Sequence, residues 1–293
     1  MTKIAVITYE ARGSYTASTV ADEDEILKEI LTSEGYDFEF QVWSNPNVNW
    51  GKYDKILFKS PWDYFDRYDE FLHWCDHIRS LGIPVWNSIE TVIWNSDKRY
   101  LQEVASKGFS IVPTVFLSKG SLPDEVWASF EIFDTHKLIM KPVVSGGSKH
   151  TLKLTIESWK QWEEEVGLLL KDEDFMVQPF MEEVVMVGEY SYVFFNGGFS
   201  HAILKTAKAG DFRVQHFFGG QITNVQPSKK QLAYLNRLVE TFAKDTLYAR
   251  VDGIWRGEEF LLMELELIEP YLFLFTSDVG RANYVKALKA NLG

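Results

Sequence analysis

The chain of 293 residues contains one cysteine, Cys75. A single thiol excludes an internal disulfide and fits a reducing compartment. Phe71, Leu72, Trp74 and Ile78 surround it at helical spacing, so Cys75 reads as a packed core residue, not a nucleophile. No run of about 18 apolar residues occurs, so no membrane-spanning helix and no membrane partner are expected. Met1–Tyr9 carries no signal-peptide pattern, and the chain reads as cytoplasmic. Cations are outnumbered, 30 Lys and Arg against 42 Asp and Glu, giving a net charge of −12. Such a surface repels phosphate backbones, so nucleic acid is not expected as a partner. A nucleotide ligand is still allowed, because a few local cations and backbone N–H groups override the global field at short range. A homodimer is compatible with this composition. The P-loop pattern G-x-x-x-x-G-K-[ST] is absent. So is G-x-G-x-x-G after the first strand, where Tyr9-Glu10-Ala11-Arg12-Gly13-Ser14 stands instead. There is no internal repeat.

Aromatic residues are abundant at 15%. Most must fill cores, with a pocket lining as the lesser use. The first third alternates strands and helices: strands at Lys3–Tyr9, Phe38–Trp43, Lys55–Lys59 and Ile83–Trp86, helices at Asp22–Glu34 and Tyr68–Leu81. Continuous apolar strands between helices predict an open parallel sheet, with ligands beyond its carboxyl ends. The middle third predicts a helix over Asp97–Ser106, strands at Val112–Leu117, Lys137–Lys141, Thr151–Leu154 and Phe175–Gln178, and a helix over Ser158–Leu170. The last third is mostly antiparallel. Tyr190–Phe195 and Phe199–Thr206 flank the turn Asn196-Gly197-Gly198. A helix over Lys229–Leu247, strands at Ala249–Trp255 and Phe260–Leu267, and a terminal helix follow. The expected class is α/β and α+β, with lobes at 1–94, 95–178 and 179–293.

Three features carry chemistry. Glu264 and Glu266 lie two apart on a strand and face one side, with Asp252 on the partner strand. Carboxylates so crowded repel unless a cation sits between them, and hard oxygens suit Mg²⁺ or Mn²⁺. A solvated polar strand face is the competing reading; Glu269, just past the strand, is a weaker ligand candidate. Lys141 ends an apolar strand beside Ser145-Gly146-Gly147-Ser148, a plausible phosphate cradle, and Lys98 opens a helix where anions are favoured. Taken alone, Lys98 also reads as a surface lysine. Arg213 and Gln215 share a strand face if Gly210–Gln215 is extended, with Lys205 nearby; a guanidinium suits a phosphate or oxyanion.

The order of these features is more specific than any one of them. Lys98, Lys141 with its glycine loop, Gln178-Pro179-Phe180-Met181, Gly188-Glu189-Tyr190-Ser191, Gly210–Gln215, and Asp252 followed by Glu264 and Glu266 resemble the ATP-grasp superfamily. Its glutathione-synthetase-like branch, with ligases that make cycloserine-type products, is the likeness, running from about Asn87 to Pro270. The resemblance implies an ATP-grasp fold: an N-terminal α/β lobe followed by two α+β lobes that clamp ATP. It implies that Lys98 and Lys141 contact the phosphates and that Ser145, Gly146, Gly147 and Ser148 close over them. Gln178, Phe180 and Met181 would line the adenine hinge, and Glu183 or Glu189 would reach the ribose. Lys205 and Arg213 would hold the reacting carboxylate, and Asp252, Glu264 and Glu266 the magnesium. The third metal position is usually Asn in such proteins; Glu266 adds negative charge, which favours tight binding and admits Mn²⁺. The implied reaction phosphorylates a small-molecule carboxylate with ATP and then joins it to an amine. The N-terminal loops would read the substrate through Tyr9–Tyr15, Trp62, Asp63, Tyr64, Arg67 and Asn87, although Trp62 and Tyr64 would equally pack a lobe interface.

Two rival readings are a nicotinamide-dependent oxidoreductase and a non-catalytic ATP-binding module. Bound ligand raises a melting temperature, so Mg-ATP is expected to stabilise the chain in a thermal shift assay where NADH does not. The reverse result selects the oxidoreductase.

Overall fold

The computed structural model describes residues 2–10, 23–147, 149–208 and 220–292. Its first sheet is parallel, in the order β2-β1-β3-β4, from β1 (Lys3–Thr8), β2 (Asp37–Val42), β3 (Lys55–Ser60) and β4 (Val85–Trp86). Ile4, Ala5, Val6 and Ile7 of β1 are fully buried, as a strand covered on both faces must be. Helices α1 (Glu23–Ser33) and α2 (Tyr68–Leu81) flank it, and α2 stops at Gly82 with φ 66°. The aromatics go largely to this core, where Trp43, Trp50, Phe58, Phe71 and Trp74 meet mostly edge to face. Cys75 lies among them, fully buried, and burial pushes its thiol up to about 12.

Helix α4 (Tyr100–Ser106) fills the predicted helix 97–106 from Tyr100 onward, and α3 (Ile89–Ser96), not expected from the sequence, precedes it. Asp97 is extended, φ −109° and ψ 117°, because its carboxylate accepts the Arg99 backbone N–H and guanidinium. That local bond competes with helix continuation, so Lys98 projects from a turn between helices. The second sheet is antiparallel, in the order β5-β8-β6-β7. It comprises β5 (Val115–Leu117), β6 (Lys137–Pro142), β7 (Leu152–Thr155) and β8 (Phe175–Pro179). Two helices back it, α5 (Pro123–Ile132) and α6 (Trp159–Asp172). β5 is shorter than predicted because residues 111 and 112 bond instead to Leu262, in the third sheet.

A short helix, α7 (Glu182–Met186), leads into that sheet. It is antiparallel, in the order β11-β10-β9-β12-β13, built from β9 (Glu189–Phe195), β10 (Gly198–Thr206), β11 (Gln221–Val225), β12 (Tyr248–Arg256) and β13 (Glu259–Glu266). The β9–β10 turn is Asn196-Gly197, with φ 47° and 72°; Gly198 has already joined the strand. Helix α8 (Lys229–Phe242) packs on this sheet and ends five residues short of the predicted Leu247. The terminal helix α9 (Asp278–Leu292) buries Tyr284, Leu288 and Leu292 in the core of the first sheet. Among the described residues no helix is long and apolar enough to cross a membrane.

Asn87 joins the first sheet to the third. It is fully buried, donates Nδ2 to the Tyr248 and Leu267 carbonyls at 2.9 and 2.7 Å, and accepts the Leu247 amide at 2.7 Å. Every polar atom of its side chain is used on backbone, which corrects the expectation that Asn87 reads a substrate. Asn95 repeats the device on Leu265 and Leu267, and Tyr100 takes both polar groups of Leu265. Asn87→Ala orphans three buried backbone groups at about 1–3 kcal/mol each before relaxation. A loss of about 3 kcal/mol in urea denaturation is expected; a loss below about 1 kcal/mol would refute the bracing role.

Candidate active site

Cross-strand register builds the site. On the third sheet Lys205 lies opposite Glu189, Ser191 opposite Asp252, Asp252 opposite Glu264, and Arg250 opposite Glu266. Directly paired residues share a face, so four strands bring these seven side chains to one surface. A bulge between Asp252 and Gly253 sets the aim of Asp252. Gly253 permits it: a Cβ there would lie 2.4 Å from the Leu261 carbonyl and 2.5 Å from the Phe260 ring.

Among the described residues four cations meet five carboxylates: Arg250, Lys205, Lys98 and Lys141 against Glu189, Asp252, Glu264, Glu266 and Glu269. Arg250 forks onto Asp252 at 2.8–3.1 Å, contacts Glu266, and donates Nη1 to the Tyr271 carbonyl at 2.9 Å. Ser191 donates to Asp252 at 2.6 Å, and Lys205 bridges Glu189 and Asp252. Burial alone would raise the Asp252 carboxyl, but Arg250 and Lys205 override it and bring it down to about 2. The surplus of negative charge falls on the others. Burial, with Asp252 and Glu264 close by, pushes Glu266 up to about 8 against the pull of Arg250. Glu269 goes up to about 7 by burial, opposed by Lys98 and by the Tyr64 phenol that donates to it.

Lys98 comes from the turn before α4. It meets Glu264 at 3.1 Å and donates to the Ser145 carbonyl at 2.6 Å. Lys141, at the end of β6, is the next cation acting on Glu264; burial lowers its pKa, and Lys98 lowers it further. The glycine segment packs against the first sheet's periphery. A Cβ on Gly146 would lie 2.5 Å from the Phe65 ring, and Lys149 pairs with Asp66 at 3.1 Å. Gln178 is buried on β8 and donates to Thr114 Oγ1 at 2.9 Å. Lys153 lies over the Phe180 ring at 4.2 Å, and Met181 is buried beside Val112, Ile254 and Leu261. The strand-to-strand passage 178–181 thus runs along the seam of the second and third sheets. Arg213 and Ser148 lie outside the described residues.

Several predicted roles shift. Glu183 is held by Arg256 at 2.7 Å, and Glu189 is sunk in the charge network with Lys205. Asp63 accepts the Trp43 indole at 2.6 Å, and Arg67 pairs with Glu70 while covering the Trp43 ring; both are bound up within the first lobe. Trp62 and Tyr64 do reach the site: Trp62 Nε1 meets the Glu269 carbonyl at 3.1 Å, beside the Tyr9 ring at 5.6 Å. Asp252 offers no open oxygen, because Arg250, Ser191 and Lys205 take both. Glu264 and Glu266 are about a quarter exposed and do offer hard oxygens. Among the described residues no three acidic, His or Cys groups converge on one metal position, so a magnesium ion here would rest on two glutamates and on ligand oxygens.

Arg250 is the residue the sequence reading passed over. The signal was present in Arg250-Val251-Asp252, two apart on a strand and therefore on one face.

Residues 4–87 match the family described as the N-terminal domain of D-cycloserine synthetase DcsG. The cycloserine biosynthesis protein DcsG of Streptomyces lavendulae is 28% identical over 91% of this chain and 92% of its own length. The crystal structure of D-cycloserine synthetase DcsG covers 99% of this chain and all of its own, with a TM-score of 0.85 at 24% identity. An ATP-grasp RimK domain protein of Sphaerobacter thermophilus aligns over 99% of this chain and all of its own at TM-score 0.73 and 13% identity. D-alanine–D-alanine ligase of Bacillus anthracis, solved with ATP, aligns over 100% and 96% at 0.66 and 16%. The fold is that of the ATP-grasp proteins. At such identities the solved structures speak to the fold: an ATP-grasp pair of antiparallel sheets behind a parallel α/β lobe.

Arg250 binds two carboxylates, Asp252 and Glu266. Arg250→Met leaves them buried without their cation, which is expected to cost about 3–5 kcal/mol at pH 7. The Asp252 pKa is depressed when folded, so its contribution is present above the ordinary 3.8 and is lost as pH falls toward 2. The gap between wild type and variant in urea denaturation should therefore narrow below pH 4; a gap independent of pH contradicts the assignment.

Proposed function

We propose that the chain is an ATP-dependent ligase that phosphorylates a small-molecule carboxylate and joins the acylphosphate to an amine. The observation that carries this is the junction at Lys98, one ammonium group bonded at once to Glu264 and to the glycine segment at Ser145. A polyphosphate entering between the second and third sheets would meet Lys98 and Lys141 from one side, with Ser145, Gly146 and Gly147 over it. Catalysis here is positioning and charge neutralisation. Lys98 and Lys141 offset the negative charge of the transferring phosphoryl group. Arg250, with Lys205 behind it, offsets charge developing on the substrate carboxyl, and Arg213 is proposed to act beside them. Magnesium, for which manganese can substitute, would be held by Glu264 and Glu266 and would supply further charge neutralisation at the phosphates.

Gln178, Phe180 and Met181 are proposed to border the adenine. Trp62, Tyr64 and Glu269 form the wall where the two substrates would meet. The relative that shares most of this chain's length is named for cycloserine biosynthesis, which favours an amino-acid-like substrate whose product is closed into a ring. The acidic surface and the fold favour neither rival reading.

The test is a panel of amino acids and dipeptides with Mg-ATP and hydroxylamine, which traps any acylphosphate as a hydroxamate, read by ADP release and mass spectrometry. Glu264→Gln with Glu266→Gln should abolish turnover and leave the fold intact by circular dichroism; undiminished turnover removes magnesium from these two glutamates.

A further inference from the structure

A buried ion pair stands apart from the carboxylate face. Glu23 opens α1 and Lys59 lies near the end of β3; their side chains are 1% exposed and 2.9 Å apart. Neither faces the nucleotide seam. Glu23 uses both oxygens on one stretch of chain beyond β13. Oε2 accepts the Leu272 amide at 2.7 Å together with Lys59, and Oε1 accepts the Leu274 amide at 3.0 Å. From β10, His201 Nε2 meets the Leu272 carbonyl at 2.8 Å. Burial lowers the His201 pKa, so the ring is neutral near pH 7 and donates from Nε2. Phe273, between the two amides, is held at φ 54°, a left-handed conformation that a non-glycine residue keeps only when its surroundings impose it.

That stretch bears directly on Arg250. The Tyr271 carbonyl accepts Arg250 Nη1 at 2.9 Å, and the Phe273 ring lies 5.5 Å from the guanidinium carbon. The Tyr271 carbonyl shares its peptide unit with the Leu272 amide, and Phe273 adjoins both amides that Glu23 holds. A carboxylate accepts two amides and an ammonium together; a neutral side chain of the same size does not. A buried ion pair adds little stability over a well-packed apolar pair, so its value here lies in geometry.

We infer that Glu23 and Lys59 are positioning residues for Arg250, acting through residues 271–274. The pair fixes the carbonyl and the ring that set the plane of the guanidinium, and that plane, with the fork held on Asp252, sets where the positive charge lies relative to the reacting carboxyl. The first lobe thereby controls the reaction centre on the third sheet without touching substrate. The inference rests on the ligase reading given above.

The experiment uses the full chain with E23Q/K59M, which leaves no buried charge unpaired, and E23D, which keeps the charge but reaches only one amide. Three quantities are read: hydrogen exchange of the Leu272 and Leu274 amides, the Kd for Mg-AMPPNP, and kcat for hydroxamate formation with the best carboxylate of the panel. Both variants should exchange these amides faster and bind Mg-AMPPNP within about twofold of wild type. Their kcat should fall by about 100-fold, the size of effect that a 1 Å misplacement produces. A purely structural pair would instead weaken nucleotide binding and kcat together. That pattern, or wild-type kcat in the variant that folds, overturns the inference. A wild-type chain that forms no hydroxamate with any carboxylate overturns the ligase reading and this inference with it. Activity in wild type with undiminished activity in E23D and E23Q/K59M overturns the inference alone.

Discussion

Five carboxylates crowded together with four cations, among the described residues, is the constraint on which the rest depends. Like charges at such distances in a low-dielectric setting cost too much to persist without compensation. Arg250 resolves most of it by serving Asp252 and Glu266 together, and Lys205 and Lys98 take the flanks. Burial and the remaining negative charge show as raised pKa values at Glu266 and Glu269. A face built this way is stable enough to fold and unbalanced enough to bind.

The scaffold around it is held by side chains that imitate backbone. Asn87, Asn95 and Tyr100 run beside β13 and use its free amides and carbonyls as a neighbouring strand would. They stiffen the strand that carries Glu264 and Glu266 and join the parallel lobe to the antiparallel one. The edge of β13 is thereby covered, which also removes a site for unwanted strand pairing.

Much of the fold was legible because period and punctuation agreed. The apolar run of β1, the Gly82 stop of α2 and the Asn196-Gly197 hairpin each carry their signal locally. The helix expected over 97–106 begins only at Tyr100, because the Asp97 side chain accepts the Arg99 amide, a bond invisible to apolar periodicity. Val112 left its expected strand for Leu262, a partner 150 positions away. In the site, Glu264 and Glu266 were readable from strand alternation. Asp252 was readable as part of the site but not as saturated, because saturation depends on Arg250, Ser191 and Lys205 arriving from three strands. Asn87 was mistaken for a substrate reader because a lone polar residue after a strand looks the same whether it faces a ligand or a carbonyl.

The packing of α9 has a consequence for synthesis. Tyr284, Leu288 and Leu292 complete the core around β1, and Lys55 on β3 donates to the carbonyls of Asn291 and Leu292. Domains generally fold in the order the ribosome delivers them. Here the part of the first sheet's core that Tyr284, Leu288 and Leu292 complete stays uncovered until α9, far along the chain, has been made.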